Sequence, residues 1–279
     1  MYVSSYEMIK KAKEGGYAVP AFNAENLEML QAIVKAAEDM RSPVIIQTTT
    51  PTVAYIGAEM MAAMVKTAAK NASVPVALHL DHCASFDGVI EAIDAGYSSV
   101  MFDGSKLPFE ENLRLSKKVA QIAKAKGVTL ECELGKVGGK EDNVSAEATY
   151  TDVDEAKAFV MESKVDILAI AIGTAHGFYK GEPKLDFDRI AAIREATDTP
   201  LVLHGGSGVP EESVKKAISL GMCKVNFATE LRAAATVGAR RVLEDESVID
   251  PKKYMGEARK EVYALCIEKI KLCGSSGKA

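Results

Sequence analysis

The sequence predicts an α/β fold, a single (β/α)8 TIM barrel over residues 1–279 with a C-terminal helical extension. Short β-branched runs alternate with longer helical patterns along the chain, which indicates repeated βαβ units. Most of the short runs are continuously apolar, as expected of parallel strands that are covered on both faces. There are eight such runs in 279 residues, which fits a closed barrel. A doubly wound sheet is the alternative, but no topological switch is marked in the sequence.

Each predicted strand is rich in Val, Ile, Leu or Ala, and each predicted helix carries apolar residues at helical spacing. Several helices begin with Asp or Ser where an N-cap would lie. The predicted strands are residues 18–23, 43–47, 75–82, 98–103, 128–134, 166–173, 200–204 and 223–227. The predicted helices include residues 26–40, 59–71, 87–95, 110–126, 154–163, 186–197 and 211–220.

Two segments depart from this alternation. Residues 229–279 are mostly helical and longer than one closing helix requires, so we expect the last barrel helix and then a C-terminal helix on the outside or on a partner subunit. The segment ELGKVGGKEDNVSAEATY after the fifth strand is rich in glycine and charge. A loop of this length is typically a lid or a disordered insertion, and Gly138 and Gly139 would let a lid bend.

The composition excludes several classes of protein. Hydrophobic residues make up 48% and charged residues 26%, which is ordinary for a globular protein. The net charge is −5 with no basic stripe, so we expect no nucleic-acid or membrane partner. No apolar run is long enough for a membrane span or a signal peptide. The five cysteines lack CxxC spacing, which favours free thiols in a reducing cytoplasm.

A polar side chain follows nearly every predicted strand. In a barrel of this class the carboxyl ends of the strands carry the chemistry, so these residues would line one polar mouth. They are Asn23, Thr49, Asp81, His82, Asp103, Glu133, His176, His204 and Asn226.

Three of the four histidines fall at strand ends that would converge on one side of this mouth: His82, His176 and His204. Three imidazoles with an open fourth position suit a catalytic divalent metal, above all Zn2+. Any one of these histidines taken alone is better explained as a polar residue with an ordinary structural partner, and it is the trio together that favours a metal. His79 precedes His82 by three residues in the same strand, so we expect it to point to the other side and to be structural.

Three carboxylates accompany the histidines. Asp81, beside His82, is a candidate metal ligand, a general acid or base over the substrate, or an orienting partner of a ligand histidine. Asp103 and Glu133 close the fourth and fifth strands. They would either hold a second cation, divalent or monovalent, or accept hydrogen bonds from the histidine rings, and the sequence favours neither reading.

Two segments have the character of anion sites. HGGSG at residues 204–208 offers closely spaced backbone N–H groups, although a plain turn is the alternative. NFATE at residues 226–230 opens the last barrel helix, whose N-terminus favours phosphate. The loops after strands seven and eight are the usual phosphate site of such barrels, which supports reading the two together.

Five motifs are distributed along the chain: LDH (80–82), ELGKVGGKED (133–142), AIGTAHG (171–177), LVLHGGSG (201–208) and KVNFATE (224–230). Together they resemble those of the class II, zinc-dependent ketose-bisphosphate aldolases, and the resemblance runs over essentially the whole chain. It implies reversible cleavage of the C3–C4 bond of a ketose 1,6-bisphosphate to dihydroxyacetone phosphate and glyceraldehyde 3-phosphate.

The resemblance implies a role for each matching residue. The three strand-end histidines named above correspond to the zinc ligands, and Asp103 and Glu133 to a secondary metal position. Asp81 corresponds to the group that takes the C4 hydroxyl proton in cleavage, and Glu141 to the base that handles the C3 proton. The residues that correspond to substrate contacts are Asn23, Thr49, Gly177, Gly205, Gly206, Ser207, Asn226, Phe227, Ala228, Thr229 and Arg259.

The resemblance leaves the substrate epimer and the assembly open. NFATE and the opening MYV…GGYAVPAFN are closer to the tagatose-bisphosphate branch. Arg259 in GEARKEV resembles fructose-type members, whose C-terminal arginine reaches the far phosphate, in some cases that of a neighbouring subunit; an exposed helix arginine is the alternative. Phe227 departs from the small aliphatic residue that is usual there. We expect a homo-oligomer, a dimer or a tetramer.

Other functions fit the sequence less well. A Schiff-base aldolase needs a buried lysine near the mouth, whereas Lys224 is predicted at the start of the eighth strand. A metal-dependent hydrolase could use the same histidines, but the paired phosphate loops favour aldol chemistry. A non-catalytic subunit would lack zinc ligands. Another substrate stays open, because most of the assigned residues contact the dihydroxyacetone phosphate half. Such a substrate would be another ketose 1-phosphate, for example a sulfonated sugar or a deoxy-keto-gluconate phosphate, cleaved by the same aldol chemistry.

Overall fold

Eight parallel strands close into a barrel in the computed structural model, so the predicted fold class is confirmed. The structure describes residues 1–141, 144–146, 149–177, 179 and 181–279, and of residues 140, 141 and 144–146 the backbone only. The strands are β1 (Val19–Asn23), β2 (Val44–Thr49), β3 (Val76–Cys83), β4 (Ser99–Phe102), β5 (Thr129–Leu134), β6 (Gly138–Glu141), β7 (Val144–Ala146), β8 (Ile167–Ile170), β9 (Ala175–His176), β10 (Leu201–Leu203) and β11 (Met222–Phe227).

The barrel follows chain order from β1 to β5, continues through β8, β10 and β11, and closes where β11 pairs with β1. Each predicted strand corresponds to one of these eight. The largest difference is at β8, predicted as residues 166–173 but ending at Ile170. Beyond Ile170 the chain leaves the barrel, and β9 pairs with β6 instead. A local apolar pattern does not distinguish residues that pair within the barrel from residues that pair with β6.

The helices lie around the barrel, and α1 and α3 were not predicted. Side-chain caps begin several of them as expected, for example Ser85, whose hydroxyl accepts from Gly88 N–H. Among the described residues, no helix is both long and apolar enough to cross a bilayer. The helices are α1 (Ser5–Gly15), α2 (Leu27–Asp39), α3 (Thr50–Ile56), α4 (Ala58–Asn71), α5 (Phe86–Ala95), α6 (Phe109–Lys126), α7 (Val153–Ser163), α8 (Phe187–Ala196), α9 (Glu211–Ser219), α10 (Thr229–Leu243) and α11 (Pro251–Leu272).

The core has two layers, one inside the barrel and one between the barrel and its helices. Met8, Ile9 and Ala12 of α1 pack with inward residues such as Ile45 and Ile167 and close the amino-terminal end of the barrel. Burying these apolar side chains favours the closed end by roughly 1.5–3 kcal/mol for each large residue. The opposite end is therefore the one that can receive a substrate.

The two segments that break the alternation contain regular secondary structure in their described parts. As predicted, the tail forms the last barrel helix, α10, and a C-terminal helix, α11, which packs against α10 and α2. The glycine-rich segment after β5 is not a structureless loop over its described part. There β6 and β7 form an antiparallel hairpin, and β6 also pairs in parallel with β9. All five cysteines are free and buried, in agreement with the predicted thiols.

Candidate active site

A bulge at the end of β3 brings two consecutive side chains to the mouth of the barrel. The pairing of β3 with β4 shifts register between Leu80 and Cys83, and His82 has a φ of 48° in the left-handed region. A regular strand would send Asp81 and His82 to opposite faces. The bulge turns His82 inward, so that both residues belong to one site.

The same bulge overturns the prediction for His79. His79 and Asp81 are two residues apart and both face the barrel interior, where His79 is fully buried. The Nε2 atom of His79 lies 3.9 Å from an Asp81 carboxylate oxygen and 3.6 Å from Glu131. Its Nδ1 atom is 2.8 Å from the Ser99 hydroxyl. His79 therefore lies beneath the site rather than on the far side of the strand, and its structural role stays a prediction.

Three buried imidazoles converge at the mouth. His82, His176 and His204 each offer a ring nitrogen, and the three nitrogens lie within 4.8 Å of one another. The His82 ring is 4.7 Å from that of His176 and 4.5 Å from that of His204, both edge to face. His82 Nε2 and His204 Nδ1 are 2.7 Å apart. The structure thus brings together the trio that the sequence singled out.

His204 is held from below by a buried ion pair that the sequence reasoning missed. Its Nε2 atom lies 2.8 Å from Glu131 Oε1, and the other oxygen of Glu131 accepts from Lys224 Nζ at 2.8 Å. Both Glu131 and Lys224 are fully buried. β11 begins at Met222, one residue earlier than predicted, and Lys224 lies within the strand with its ammonium group on Glu131 in the barrel interior. A charged residue inside an otherwise apolar strand was the signal available for both.

Two carboxylates support the other side of His82. Its Nδ1 atom lies 3.1 Å from Asp103 Oδ2 and 3.8 Å from Glu133 Oε2. Asp103 also accepts from the backbone N–H and the hydroxyl of Ser105. The ring of His82 therefore separates these carboxylates from His204, and His82, Asp103 and Glu133 form a second group with the donor types that a cation needs.

The electrostatics of these groups favours a cation. Burial opposes a charged imidazole at His82, yet the carboxylates of Asp81, Asp103 and Glu133 together raise its pKa well above the ordinary value. Burial raises the pKa of Asp81 and, reinforced by the charge of Asp103, raises the pKa of Glu133. Burial opposes ionisation of Asp103, but the hydrogen bond from His82 leads the interactions that lower its pKa. Acidic groups that favour a proton on His82 would equally favour a metal ion beside it.

The two other imidazoles are suited to bind metal as neutral ligands. Burial, followed by the charge of His82, lowers the pKa of both His176 and His204 well below the ordinary value. A neutral imidazole keeps the lone pair that a metal ligand requires. Three nitrogen donors, buried and backed by carboxylates, match the donor set of a catalytic Zn2+ site.

Amide side chains surround Asp81. Gln47 Nε2 donates to Asp81 Oδ2 at 3.1 Å and to Asn23 Oδ1 at 2.6 Å, and Asn226 Nδ2 donates to Asp81 Oδ1 at 3.2 Å. Both oxygens of the carboxylate are thereby oriented. Among the described residues, Asn23 Nδ2 and Asn226 Oδ1 are buried without a hydrogen-bond partner. Unsatisfied polar atoms are costly, so their presence here favours a polar ligand. Gln47 was not predicted.

The predicted anion loops form one small cavity beside His176. Ser207 reaches the start of α10, because its hydroxyl accepts from the N–H of Ala228 at 3.3 Å. The cavity is thus adjacent to a helix N-terminus of the kind that binds phosphate. The residues around it are Ala175, His176, Gly177, Gly205, Ser207, Asn226, Ala228 and Thr229.

Five predicted contacts do not line this cavity: Asn23, Thr49, Gly206, Phe227 and Arg259. Phe227 is fully buried and its ring centroid is 5.7 Å from that of Phe22, in the layer between barrel and helices. The ring of Phe227 therefore faces away from the cavity, and a substrate contact through its backbone stays a prediction. Arg259 is exposed on α11 and donates to Gln31 on α2, outside its own barrel mouth. Thr49 is buried at the end of β2, with its hydroxyl 3.1 Å from that of Thr52.

The side chain of Glu141 lies outside the described part of the chain. Its strand, β6, is held to the metal-ligand segment, because Gly138 and Gly139 pair with Ala175 and His176. Gly139 has a φ of 86°, and a Cβ there would lie 2.3 Å from the His176 carbonyl oxygen. Only glycine allows so close an approach.

Comparison with known proteins supports the geometry. The sequence profile of the family described as fructose-bisphosphate aldolase class-II matches residues 3–278. The chain is 47% identical to a fructose-bisphosphate aldolase of Geobacillus stearothermophilus, with 99% of this chain and 98% of the relative covered. It is 45% identical to a sulfofructosephosphate aldolase of Alkalicoccus urumqiensis, with 100% and 98% covered.

Solved structures of aldolases have the same fold as this chain. The crystal structure of the YdjI aldolase from Escherichia coli K12 superposes with a TM-score of 0.90 at 39% identity, over 100% of each chain. A match of this extent in both sequence and fold identifies the family and the reaction class. The chain belongs to the class-II fructose-bisphosphate aldolase family and is an aldolase, a carbon–carbon lyase.

Proposed function

We propose that this aldolase is zinc-dependent and reversibly cleaves a ketose 1,6-bisphosphate, tagatose or fructose 1,6-bisphosphate, to dihydroxyacetone phosphate and glyceraldehyde 3-phosphate. One observation carries the proposal: three buried imidazoles converge at the barrel mouth beside Asp81. A metal with an open position next to a carboxylate supports proton transfer coupled to C–C cleavage.

His82, His176 and His204 hold the zinc ion in this proposal, and Glu131 and Asp103 orient two of the rings. When bound, zinc supplies Lewis-acid stabilisation of the negative charge that builds up on the ketone-phosphate half. Glu133 and Asp103 are proposed to hold a second cation, divalent or monovalent, on the far side of the His82 ring.

Asp81 acts first in the direction of cleavage. Its carboxylate takes the proton of the C4 hydroxyl, C4 becomes the aldehyde carbon, and the electron pair of the C3–C4 bond passes to the ketone-phosphate half. Gln47 and Asn226 each donate to one oxygen of Asp81, which fixes the direction from which the carboxylate meets the C4 hydroxyl. In condensation the same carboxyl returns the proton.

Glu141 completes the cycle in its protonated form. It delivers a proton to C3 of the ketone-phosphate half, and in condensation it removes that proton. Its strand adjoins the His176 segment through the pairing of β6 with β9, which supports its access to the site. A group on a lid can approach after the substrate has entered and water has left.

The glycine loops and the start of α10 are proposed to hold the phosphate of the dihydroxyacetone half. Backbone N–H groups around Gly177 and Gly205–Ser207 and the helix N-terminus suit a phosphate without requiring a basic surface. The contacts proposed for the remainder of this half are Asn23, Thr49, Gly206, Asn226, Ala228 and Thr229.

The aldehyde half is where the candidate substrates differ. Tagatose and fructose bisphosphates differ only in configuration at C4, the carbon whose hydroxyl Asp81 handles. Arg259 is proposed to reach the far anionic group of a neighbouring subunit in a homo-oligomer, since within its own chain it lies on the outer layer. A second candidate is a sulfonated ketose 1-phosphate, because the relatives named for fructose bisphosphate and for sulfofructose phosphate are almost equally similar to this chain.

The test is parallel cleavage of tagatose 1,6-bisphosphate, fructose 1,6-bisphosphate and sulfofructose 1-phosphate, each with and without a chelator. We expect chelator-sensitive release of dihydroxyacetone phosphate, and the largest kcat/KM identifies the substrate. Chelator-resistant cleavage would contradict the zinc assignment. Cleavage of the sulfonated sugar alone would replace the bisphosphate proposal by the second candidate.

A further inference from the structure

One hydroxyl bridges two of the loops at the mouth of the barrel. Tyr179 Oη accepts a hydrogen bond from the backbone N–H of Ala175 at 2.8 Å. The same hydroxyl donates to the backbone carbonyl of Gly205 at 2.9 Å. A tyrosine hydroxyl offers one donor, so both interactions are made by a single group in a single orientation.

The two bridged residues are adjacent to candidate metal ligands. Ala175 directly precedes His176 in β9, and Gly205 directly follows His204. Tyr179 therefore connects the segments that carry two of the three converging imidazoles. No role had been assigned to Tyr179 from the sequence, because its residue type in a loop gives no signal of a partner 26 residues away.

Close packing reinforces the bridge. Gly205 has a φ of 64°, and a Cβ there would lie 2.5 Å from the carbonyl oxygen of Ala175, so the two backbones are in direct contact. At the other end of HGGSG, a Cβ on Gly208 would lie 3.2 Å from Cδ2 of the Tyr179 ring. The tyrosine thus contacts both ends of this loop and the segment opposite.

We propose that Tyr179 is a positioning residue that fixes the HGGSG loop against the His176 segment, and so sets the affinity of the site for the phosphate of the ketone half. The claim rests on the proposed function for the identity of that ligand. Backbone N–H groups bind an anion well only if they are aligned beforehand, because ordering a loose loop on binding reduces affinity. The hydrogen bonds of Tyr179 go to the backbones of the two loops and not to Asp81, so the first proton transfer should be largely unaffected.

The experiment compares Tyr179→Phe with a matched control, Tyr2→Phe. Tyr2 also donates its hydroxyl to a glycine carbonyl, that of Gly96 at 2.7 Å, but at the closed end of the barrel. Each zinc-loaded variant is measured for calorimetric binding of dihydroxyacetone phosphate, for zinc affinity by chelator competition, for thermal stability, and for KM and kcat on the ketose phosphate that the wild type cleaves.

For Tyr179→Phe we expect about tenfold weaker binding of dihydroxyacetone phosphate and about tenfold higher KM, with kcat within about threefold of the wild type, because two half-buried backbone groups lose their shared partner. Zinc affinity should fall by about tenfold as well. Tyr2→Phe should leave both affinities unchanged while its melting temperature falls.

Two results would overturn the inference: Tyr179→Phe binding zinc and dihydroxyacetone phosphate as the wild type does, or losing kcat at unchanged KM. If the zinc-loaded wild type itself fails to bind dihydroxyacetone phosphate, the proposed function is wrong. The zinc affinity and stability of the two variants then still decide whether Tyr179 positions the loops, since neither measurement needs a sugar.

Discussion

The barrel interior beneath the histidines and the loops above them hold the candidate site in different ways. Below, side chains make the contacts: Lys224 pairs with Glu131, which in turn orients His204, and all three are fully buried. Above, backbones also lie in direct contact, as where Gly139 lies against the carbonyl of His176.

This difference indicates that the interior and the loops have separate functions, metal binding and substrate entry. A buried ion pair has one good arrangement, because a displaced charge would be left without a partner, so the interior can hold metal ligands rigidly. A loop held through glycine contacts and a hairpin can separate from its neighbours at lower cost, which suits a segment that admits substrate. We therefore expect substitutions of the buried ion pair to act on the metal, and loop substitutions to act on the substrate. A loop substitution such as Tyr179→Phe, which lies beside two ligand segments, should act on both.

The largest expected effect is from His82→Ala, which removes the ring that lies between the other imidazoles and the carboxylates. We expect loss of bound zinc and of activity together, measured by metal analysis and by the cleavage assay. His79→Gln is the control, since His79 is also buried in β3 but is not part of the trio, and this variant should keep its zinc. Stoichiometric zinc in His82→Ala would remove His82 from the ligand set.

Asp81→Ala should separate metal binding from chemistry. We expect zinc to be retained while kcat falls by about 10²–10⁴, the range for loss of a general acid–base group. Asp81→Asn preserves the volume and should fail to the same degree, because the missing function is proton transfer. Near-normal turnover in either variant would make the acid–base assignment of Asp81 wrong.

Glu141→Ala tests the lid. We expect the exchange of the C3 proton of dihydroxyacetone phosphate with solvent to slow by about a hundredfold, because that step needs a base over C3. Exchange is followed by proton NMR in deuterated buffer, and zinc content should equal that of the wild type. An unchanged exchange rate would take Glu141 out of the mechanism, whereas loss of zinc would contradict the division between interior and loops.

Lys224→Met tests the contribution of the buried ion pair in the barrel interior. It leaves the carboxylate of Glu131 buried without its cation, which costs about 3–5 kcal/mol of the free energy of unfolding. Zinc affinity should fall by about 10- to 100-fold, because Glu131 no longer orients His204 reliably. Denaturant unfolding and chelator competition measure the two effects.

The control for this prediction is the double variant Lys224→Met with Glu131→Gln. It removes the unpaired charge while keeping a polar group beside His204, so we expect most of the lost stability to return. A single variant as stable as the wild type would show that the ion pair contributes little.

Much of the architecture could be predicted because its signals are local. Apolar runs of strand length and helical spacing between them depend on near neighbours in the sequence, and the eight predicted strands correspond to the eight strands of the barrel. The end of a strand was less predictable, because Ala175 and His176 pair with β6 for reasons that lie in another segment.

The sequence by itself determined which residues are available to the site: three histidines and several carboxylates and amides placed where strands end, and two glycine loops. The tertiary structure decided the direction in which each of these side chains points. The bulge that turns His82 inward depends on pairing between β3 and β4, and it leaves His79 inside the barrel. Phe227 follows the inward-facing Asn226 in β11, so its ring faces the outer layer, where it lies beside Phe22. The partners of Glu131 are distant in sequence, and only closure of the barrel brings Lys224 and His204 to it, because parallel strands meet through long crossover connections.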